Sequence, residues 1–361
     1  GAPPSSIGKF GGDTDNWMWP RHTGDFSIFR VYAGEDNEPA AYSEKNVPFR
    51  PKKFFKINAK GIKEGDFTMV YGFPGTTREY LFSDAVKYTA LTSNPHKIAL
   101  RTLRLDIQRE EMGKDQAVRI KYASKNASVS NAWKKWQGEA KGILKMKAIE
   151  NKWAEGKPEY ENLVERFKEL YGSIEELSLV QDYQNEALNA VEIIAFAGRG
   201  QRGAEKFHKD YYMPIDKACF IALYNAYNKN IADNYKSPYF KEQLQKYGSI
   251  EAWAEALFTA TPNMEMAAEI YEKTNAYFKE NIKPTLDKVN AEITLLYRAY
   301  MRGQMEYNDA TNGGKIFYPD ANSTLRVTYG KVKGYKPADA IYYTPVSSLD
   351  GVIEKDNPEI Y

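Results

Sequence analysis

The fold of this chain is constrained most by a long helical block that lies between two regions with strand periodicity. From Glu79 to about Met305, apolar residues recur at helical spacing in segments separated by short stops. Before and after that block, apolar and polar residues alternate, which is the pattern of half-buried strands. The order strands, helices, strands predicts an α+β fold in which the helices interrupt one β domain. The predicted segments are residues 1–77, 78–316 and 317–361.

Five stretches carry the strand pattern. They are Phe26–Tyr32, Phe54–Asn58, Phe67–Tyr71, 323–334 and 341–346. All contain aromatic or β-branched residues, and Phe26–Tyr32 and 323–334 also alternate apolar with polar residues, which favours strands. The third stretch is followed by Gly72, Pro74 and Gly75, and these turn residues predict the end of that strand.

One pentapeptide marks two predicted helix boundaries. Tyr-Gly-Ser-Ile-Glu occurs at 171–175 and at 247–251, and each copy predicts a glycine that ends one helix and a serine that starts the next. In the first copy Glu176 completes a capping box with the serine. The predicted helices around that copy are Glu159–Leu170 and Glu175–Phe196.

Prolines mark further helix starts. Ser237 and Thr261 each precede a proline, so each is predicted to cap a helix with its hydroxyl group. Near the end of the block, two separate helices are predicted at Met264–Asn281 and Thr285–Met301.

The composition excludes several classes of function. The 50 basic and 48 acidic residues leave a formal net charge of +2, whereas a surface that follows phosphates needs a clear basic excess. A transmembrane helix needs about 18 consecutive apolar residues, and the sequence has no such run. Cys219 is the single cysteine, and no Cys/His spacing resembles a zinc site. We therefore expect a globular protein without a nucleic-acid or metal partner.

The densest group of chemically versatile residues is the stretch 11–27, Gly-Gly-Asp-Thr-Asp-Asn-Trp-Met-Trp-Pro-Arg-His-Thr-Gly-Asp-Phe-Ser. Turn-forming, aromatic and charged residues directly before a strand are typical of a functional site. From the residues alone, Asp25 is either a functional carboxylate or an exposed turn residue. Asn131 is likewise either functional or the N-cap of a helix that begins at Ala132.

This stretch is similar to peptidase family S46, the serine dipeptidyl-peptidases 7 and 11 and their relatives. The similarity continues through Tyr-Gly-Phe-Pro-Gly at 71–75, Ser-Asn-Ala-Trp-Lys-Lys-Trp at 130–136 and Tyr-Pro-Asp-Ala-Asn-Ser-Thr at 318–324. It therefore spans essentially the whole chain. The resemblance implies a trypsin-like double β-barrel with a large inserted α-helical domain. The first segment would then hold the end of one barrel and the start of the second, and the last segment would return to the second barrel.

The resemblance also implies roles for individual residues. Asp25 would be the acid of a catalytic triad, which holds the histidine in the correct tautomer. Asn16, Trp17 and Asn131 would bind the free α-amino group of an oligopeptide substrate. His22 lies close to Asp25 in sequence, but the catalytic histidine of the family lies upstream of this stretch, so His22 is predicted to be structural. No metal or organic cofactor is implied.

The implied activity is that of a serine exopeptidase that releases dipeptides by acyl transfer. The sequence lacks the serine-containing stretch that carries the nucleophile in the family, and it begins inside a loop without a methionine. We therefore expect a piece of a longer protein that hydrolyses nothing by itself. The alternatives are a non-enzymatic helical module that binds peptides or acts as a scaffold, and a degenerate pseudo-protease.

The location and assembly of the protein follow from the resemblance alone. Exported members from Gram-negative bacteria imply a periplasmic or outer-surface location, and the family also implies a homodimer. Whether the released dipeptide ends in an acidic or a hydrophobic residue is left open, because the residues that set this preference lie beyond position 361.

Overall fold

The chain divides into two compact units. The computed structural model describes residues 19–20, 29–145, 158–200, 203–312, 316–348 and 350–354. One unit consists of residues 1–77 together with 321–361, and the other consists of residues 78–320. The described strands lie in the first unit and nearly all described helices in the second, so the fold is α+β. The assignment of 1–77 and 317–361 to peptidase barrels and of 78–316 to a cap stays a prediction.

The described strands of the first unit form three short antiparallel pairs. The strands are β1 (Tyr32–Ala33), β2 (Val47–Pro48), β3 (Phe67–Gly72), β4 (Arg326–Lys331), β5 (Tyr335–Ala338) and β6 (Ile341–Tyr343), and a short helix α12 (Asp350–Glu354) follows them. The pairs are β1 with β2, β3 with β4, and β5 with β6. Of these three pairs, β3 with β4 has the largest separation in sequence, and it joins the two halves of this unit.

The β3–β4 ribbon has one apolar face. Its register pairs Phe67 with Lys331, Met69 with Tyr329 and Tyr71 with Val327. Because side chains alternate along a strand, these residues share one face, and the opposite face carries mostly threonine, glycine and arginine. The apolar side chains on the first face are nevertheless exposed, as in Tyr329 at 73% and Phe67 at 66%.

The strand predictions have mixed outcomes. The predictions at Phe67–Tyr71, 323–334 and 341–346 are confirmed by β3, β4 and β6. The prediction at Phe54–Asn58 is wrong, because this segment pairs with no described strand and Phe55 is fully exposed. Of Phe26–Tyr32, residues 26–28 lie outside the described residues, and among the other four only Tyr32 lies in a strand, β1.

The second unit is a stack of helices. The helices are α1 (Ser83–Tyr88), α2 (Asn94–Lys114), α3 (Gln116–Lys145), α4 (Pro158–Glu186), α5 (Glu192–Gly198), α6 (Ala204–Asp210), α7 (Met213–Asn230), α8 (Pro238–Tyr247), α9 (Ile250–Leu257), α10 (Met264–Tyr277) and α11 (Lys283–Asn312). Two short 3₁₀ turns, Leu188–Ala190 and Asp233–Tyr235, connect neighbouring helices. Among the described residues, we find no helix with the length and apolarity to cross a membrane.

The core of the helical unit is rich in aromatic rings. Phe82 stacks on Phe167 with ring centroids 4.5 Å apart, and Tyr300 meets both rings edge-on. A second aromatic centre surrounds Trp253, which meets Phe220 edge-on at 5.4 Å. Such pairs add to the stabilisation that burial provides, so the high aromatic content of the sequence serves packing.

Two prolines are accommodated by π-helical turns. The turns Thr89–Ser93 and Phe278–Ile282 each end two residues before a proline, Pro95 and Pro284. A proline inside a helix lacks the N–H group for the bond to residue i−4, and a wider turn relieves that mismatch. The predicted break between Met264–Asn281 and Thr285–Met301 is therefore wrong, because the chain stays helical across it.

The two copies of the pentapeptide have different structures. Ser249 begins α9 as predicted, since its hydroxyl accepts from Ala252 N at 3.1 Å. The prediction for Ser173 is wrong, because Ser173 lies inside α4 and donates to Leu170 O at 2.7 Å. The prediction of two separate helices at Glu159–Leu170 and Glu175–Phe196 is accordingly wrong, because Pro158–Glu186 is one helix.

The predicted hydroxyl caps before proline also differ. The prediction that Ser237 caps a helix is confirmed, because its Oγ accepts from Phe240 N at 3.1 Å. The prediction that Thr261 caps a helix is wrong, since α10 begins later. The cap of α10 is Asn263, whose side chain accepts from Met266 N at 3.0 Å.

Candidate functional site

Asn131 is the one predicted site residue that the structure describes. Asn16, Trp17 and Asp25 lie outside the described residues, as does His22, so their roles stay predictions. Asn131 lies in the middle of α3 with an exposed side chain. The alternative that Asn131 caps a helix starting at Ala132 is wrong, because α3 begins at Gln116.

A tryptophan hydrogen bond holds the segment around Asn131 against α2. Trp133 Nε1 donates to Thr102 Oγ1 at 2.9 Å, and this hydroxyl in turn donates to Ile98 O at 2.8 Å. Residues two apart point to nearly opposite sides of a helix, so fixing Trp133 on α2 leaves Asn131 on the other side. Asn131 therefore lies on the exposed side of α3, opposite the face that packs on α2.

Trp136 covers two cations of α2. Lys97 Nζ lies 4.7 Å from the centroid of its ring, and the guanidinium carbon of Arg101 lies 4.5 Å from it. Both distances are within the range of cation–π attraction. Lys97 and Arg101 are one helical turn apart, so both reach the same ring.

Each of these cations faces a carboxylate of α4. Arg101 Nε and Nη2 each donate to Glu186 at 2.9 Å, which is a bidentate pair, and Lys97 Nζ lies 4.0 Å from Asp182. Asp182 and Glu186 are also one turn apart. We call these four charged residues together with Trp136 the Trp136 ladder.

Arg101 also reaches the backbone of α3. Its Nη1 donates to the carbonyl of Val129 at 3.0 Å, two residues before Asn131. One guanidinium therefore connects three helices. Its side chain is 16% exposed and that of Glu186 is 15% exposed, so water competes weakly for this pair.

Asp182 of the Trp136 ladder has a raised pKa. Burial raises its pKa above the ordinary value, and the charge of Lys97 opposes that shift. Ser93 Oγ donates to Asp182 at 2.6 Å and the Tyr88 hydroxyl donates at 3.2 Å. These contacts tie the first π-helical turn to α4.

A second buried carboxylate has a structural role. Asp216 on α7 accepts from the amides of Glu192 at 2.6 Å and Ile193 at 2.8 Å, and from the Tyr211 hydroxyl at 3.2 Å. It therefore satisfies the free amides at the start of α5 in place of a local cap. Burial and the nearby charge of Glu192 raise the pKa of Asp216.

The helical unit also has an open cleft of about 380 Å³ along α11, and its lining is mostly aromatic and methionine side chains. Tyr80 at its edge donates through its hydroxyl to Tyr318 O at 2.7 Å, and Asp320 Oδ1 accepts from Glu79 N at 2.9 Å. These polar groups thus pair the first and last segments of the unit. Across the part of the chain that the structure describes, we find no cluster of His, Cys, Asp or Glu suited to a metal ion.

Sequence reasoning missed the Trp136 ladder. Its two halves were visible as i, i+4 pairs of like charge, Lys97 with Arg101 and Asp182 with Glu186. Each pair alone is unfavourable in a helix, and that is the signal that could have suggested partners on another helix. Nothing in the sequence indicated which helix carries them.

The chain matches the family model of Peptidase S46 over residues 1–196 and 213–360. It is 41% identical to an Asp/Glu-specific dipeptidyl-peptidase of Flavobacterium psychrophilum, covering 100% of this chain and 57% of that protein. It is 38% identical to an Asp/Glu-specific dipeptidyl-peptidase of Capnocytophaga gingivalis, covering 100% of this chain and 58% of that protein. The chain thus spans less than two thirds of the length of these relatives.

Among solved structures, the chain is similar to DPP11 of Porphyromonas endodontalis. In the complex of that protein with the dipeptide Arg-Glu, the TM-score is 0.72 at 34% identity, covering 99% of this chain and 58% of the other. In an alternate conformation of the same protein the TM-score is 0.58 at 30% identity, again covering 99% of this chain and 56% of the other.

Proposed function

Since the chain belongs to peptidase family S46, we propose that it is part of a serine dipeptidyl-peptidase. This enzyme releases dipeptides from the free N-terminus of oligopeptides by acyl transfer. The observation that carries the proposal is the match along nearly the whole chain to proteins named dipeptidyl-peptidases, at identities that include 35%, 38% and 41%. A match that covers both the β unit and the helical unit favours this reading over a free-standing helical binding module.

The proposed architecture is a trypsin-like double β-barrel with the helical unit inserted into it. The β3–β4 ribbon supports it, because one face of this ribbon is apolar and exposed in the described residues. Exposed apolar ribbon faces are unfavourable in water, and further barrel strands would cover this one. Asp25 and the ribbon would then lie in the peptidase part, and Asn131 in the cap.

The proposed chemistry assigns the triad acid and the amine site to this chain. Asp25 holds the catalytic histidine in the tautomer that accepts the serine proton, and it stabilises the imidazolium that forms. Asn16, Trp17 and Asn131 bind the α-ammonium of the substrate, which fixes the distance from the N-terminus to the scissile bond. Because the histidine and the serine are not found in this sequence, the chain by itself is expected to be inactive.

We propose an acidic residue at the second position of the released dipeptide. Support comes from the two relatives of 38% and 41% identity, both named Asp/Glu-specific. A periplasmic or outer-surface location and a homodimer remain proposals from the resemblance. Fractionation of the native bacterium tests the location, and light scattering of the purified full-length protein tests the dimer. Activity confined to the cytoplasm, or a monomer at all concentrations, would contradict them.

Hydrolysis of dipeptidyl fluorogenic substrates by the full-length protein tests the function. Each substrate is offered with a free and with an acetylated amino terminus, and with an acidic or a hydrophobic second residue. We expect cleavage of free-amine, acidic substrates alone, and a loss of about 10⁴-fold in kcat for Asp25→Ala. Equal cleavage of acetylated substrates, or a nearly silent Asp25→Ala, would refute the exopeptidase assignment. The helical-module alternative would predict peptide binding that acetylation does not affect.

A further inference from the structure

We propose that Arg101 is a positioning residue for Asn131, and that the Trp136 ladder thereby sets the affinity of the enzyme for the free α-amino group of its substrate. The inference deepens the proposed function and rests on it. It concerns residues of α2 and α4 that the resemblance to the family does not assign.

Amine recognition demands a fixed acceptor. A hydrogen bond from an ammonium to an amide oxygen requires about 2.7–3.2 Å between the heavy atoms, and it weakens steeply when the angle is poor. A displacement of about 1 Å in a positioning group can cost about 100-fold in rate or affinity. Asn131 lies on an exposed face of α3, and the contacts that hold the opposite face of that helix contribute to its position.

Arg101 holds α3 on both sides of Asn131. It donates to the carbonyl of Val129 at 3.0 Å, and it lies under the ring of Trp136 at 4.5 Å. The two contacts are thus two residues before and five residues after Asn131 in the helix. The bidentate pair with Glu186 anchors the same guanidinium to α4. Rotation or sliding of α3 would break the contacts with Val129 and Trp136 together.

The contacts require the guanidinium shape and not merely a positive charge. Arginine offers five N–H donors in a planar fork and a flat face for stacking. A lysine at the same position cannot make the bidentate pair, the carbonyl bond and the stacking contact at once. Arg101→Lys therefore keeps the charge and the approximate volume but loses the combined contacts by which this residue fixes α3, while the bond from Trp133 to Thr102 remains.

The chain offers a matched control arginine. Arg166 on α4 also pairs with two carboxylates, Glu169 at 2.9 Å and Glu292 at 2.6 Å. Its side chain is 45% exposed, and these partners belong to α4 and α11. Arg166→Lys thus removes an arginine paired with carboxylates from the same unit without touching the contacts around Asn131.

The test is a double-mutant cycle on the full-length enzyme with free-amine dipeptidyl substrates. We expect Arg101→Lys to raise KM about tenfold or more and to leave kcat within about twofold, because binding of the amine is lost equally in ground and transition states. In an Asn131→Ala background, Arg101→Lys should change KM by less than about twofold, since its effect passes through Asn131. Arg166→Lys should leave KM unchanged in both backgrounds.

Three outcomes separate the possibilities. Equal KM effects of Arg101→Lys in both backgrounds, or a loss of kcat without a KM effect, would overturn the positioning role. A KM effect of Asn131→Ala with none from Arg101→Lys would overturn this inference and leave the proposed function intact. A silent Asn131→Ala would refute the role of Asn131 in the amine site, and this inference with it. If circular dichroism shows that Arg101→Lys does not fold, Glu186→Gln replaces it in the test. This variant keeps the side-chain volume, and it should also raise KM.

Discussion

The two copies of Tyr-Gly-Ser-Ile-Glu have the same five residues and different backbones. In the first copy Gly172 lies inside α4, which continues from Pro158 to Glu186. In the second, Gly248 adopts a left-handed conformation with φ of 78° and ends α8, and Ser249 starts α9. The first copy has the stronger capping signal, since Glu176 completes its capping box, whereas Ala252 stands at that position in the second.

Burial explains why Ser249, with the weaker capping signal, caps a helix and Ser173, with the stronger signal, does not. Around the first copy Phe167, Leu170 and Ile174 are all buried at helical spacing, so a continuous helix keeps one stripe in the core. After the second copy, α9 packs Trp253 against Phe220 of α7. The local sequence is therefore compatible with a continuous helix or with a helix boundary. Packing of the surrounding core determines which of the two forms at each copy.

The largest expected effect is common to both copies. Ile174 and Ile250 are buried to 3% and 2% exposure, so Ile→Ala at either site should cost about 2–5 kcal/mol of unfolding free energy. Urea unfolding followed by circular dichroism at the helical band measures it. A cost below about 1 kcal/mol at one site would mean that the two copies differ in burial as well as in backbone.

Replacing the glycine by alanine should change the free energy of unfolding in opposite directions at the two copies. Gly248→Ala forces a side chain into the left-handed region and should destabilise by about 1–2 kcal/mol. Gly172→Ala should stabilise by about 0.5–1 kcal/mol, because Gly172 is helical and an added Cβ meets no atom within 4 Å. The same urea titrations test both, and equal signs would contradict the two assigned backbones.

Serine substitutions should show a smaller contrast. Ser249→Ala removes the cap on Ala252 N and should cost about 1 kcal/mol. Ser173→Ala should be neutral or stabilising by a few tenths of a kcal/mol, since alanine suits a helix interior better. Midpoints of thermal unfolding for the two variants, measured side by side, resolve the difference. A cost of about 1 kcal/mol at Ser173 would indicate that it caps a helix after all.

The smallest expected effect depends on pH. A hydrogen bond from the backbone amide of Glu251 to its own carboxylate lowers the pKa of this residue, and the bond from Asn225 lowers it further. The contribution of Glu251 to the free energy of unfolding is therefore present at neutral pH, and it is lost as the pH falls through and below the ordinary pKa of 4.5. Glu251→Gln should reduce the acid-induced fall in the urea midpoint relative to the wild type. An unchanged pH profile would contradict this contribution.

Prediction from sequence was successful for three strands of the β unit and less successful for helix boundaries. Phe67–Tyr71 is rich in aromatic and β-branched residues and is followed by turn residues, and β3 lies there. Pro95 and Pro284 lie in nearly continuous helices because a π-helical turn beside each absorbs the missing hydrogen bond. Such a turn depends on packing on both sides of the proline, which no local pattern reports.

The candidate site was predictable only as a set of residue types. The segment 130–136 drew attention to Asn131, and the structure explains its tryptophans as anchors on α2. Arg101 carried no signal in the sequence that linked it to Asn131. Its partners Val129 and Glu186 lie 28 and 85 positions away in sequence, so only folding brings them together.

The sequence by itself determined the order of strands and helices, the family, and the residue types available for chemistry, because these depend on local periodicity and motifs. The tertiary structure decided where helices end, which serine caps, and which charges pair across α2, α3 and α4. The physical reason is that burying a continuous apolar stripe is worth more than a capping bond of about 1 kcal/mol. Ion pairing likewise depends on distances that are set only when helices pack.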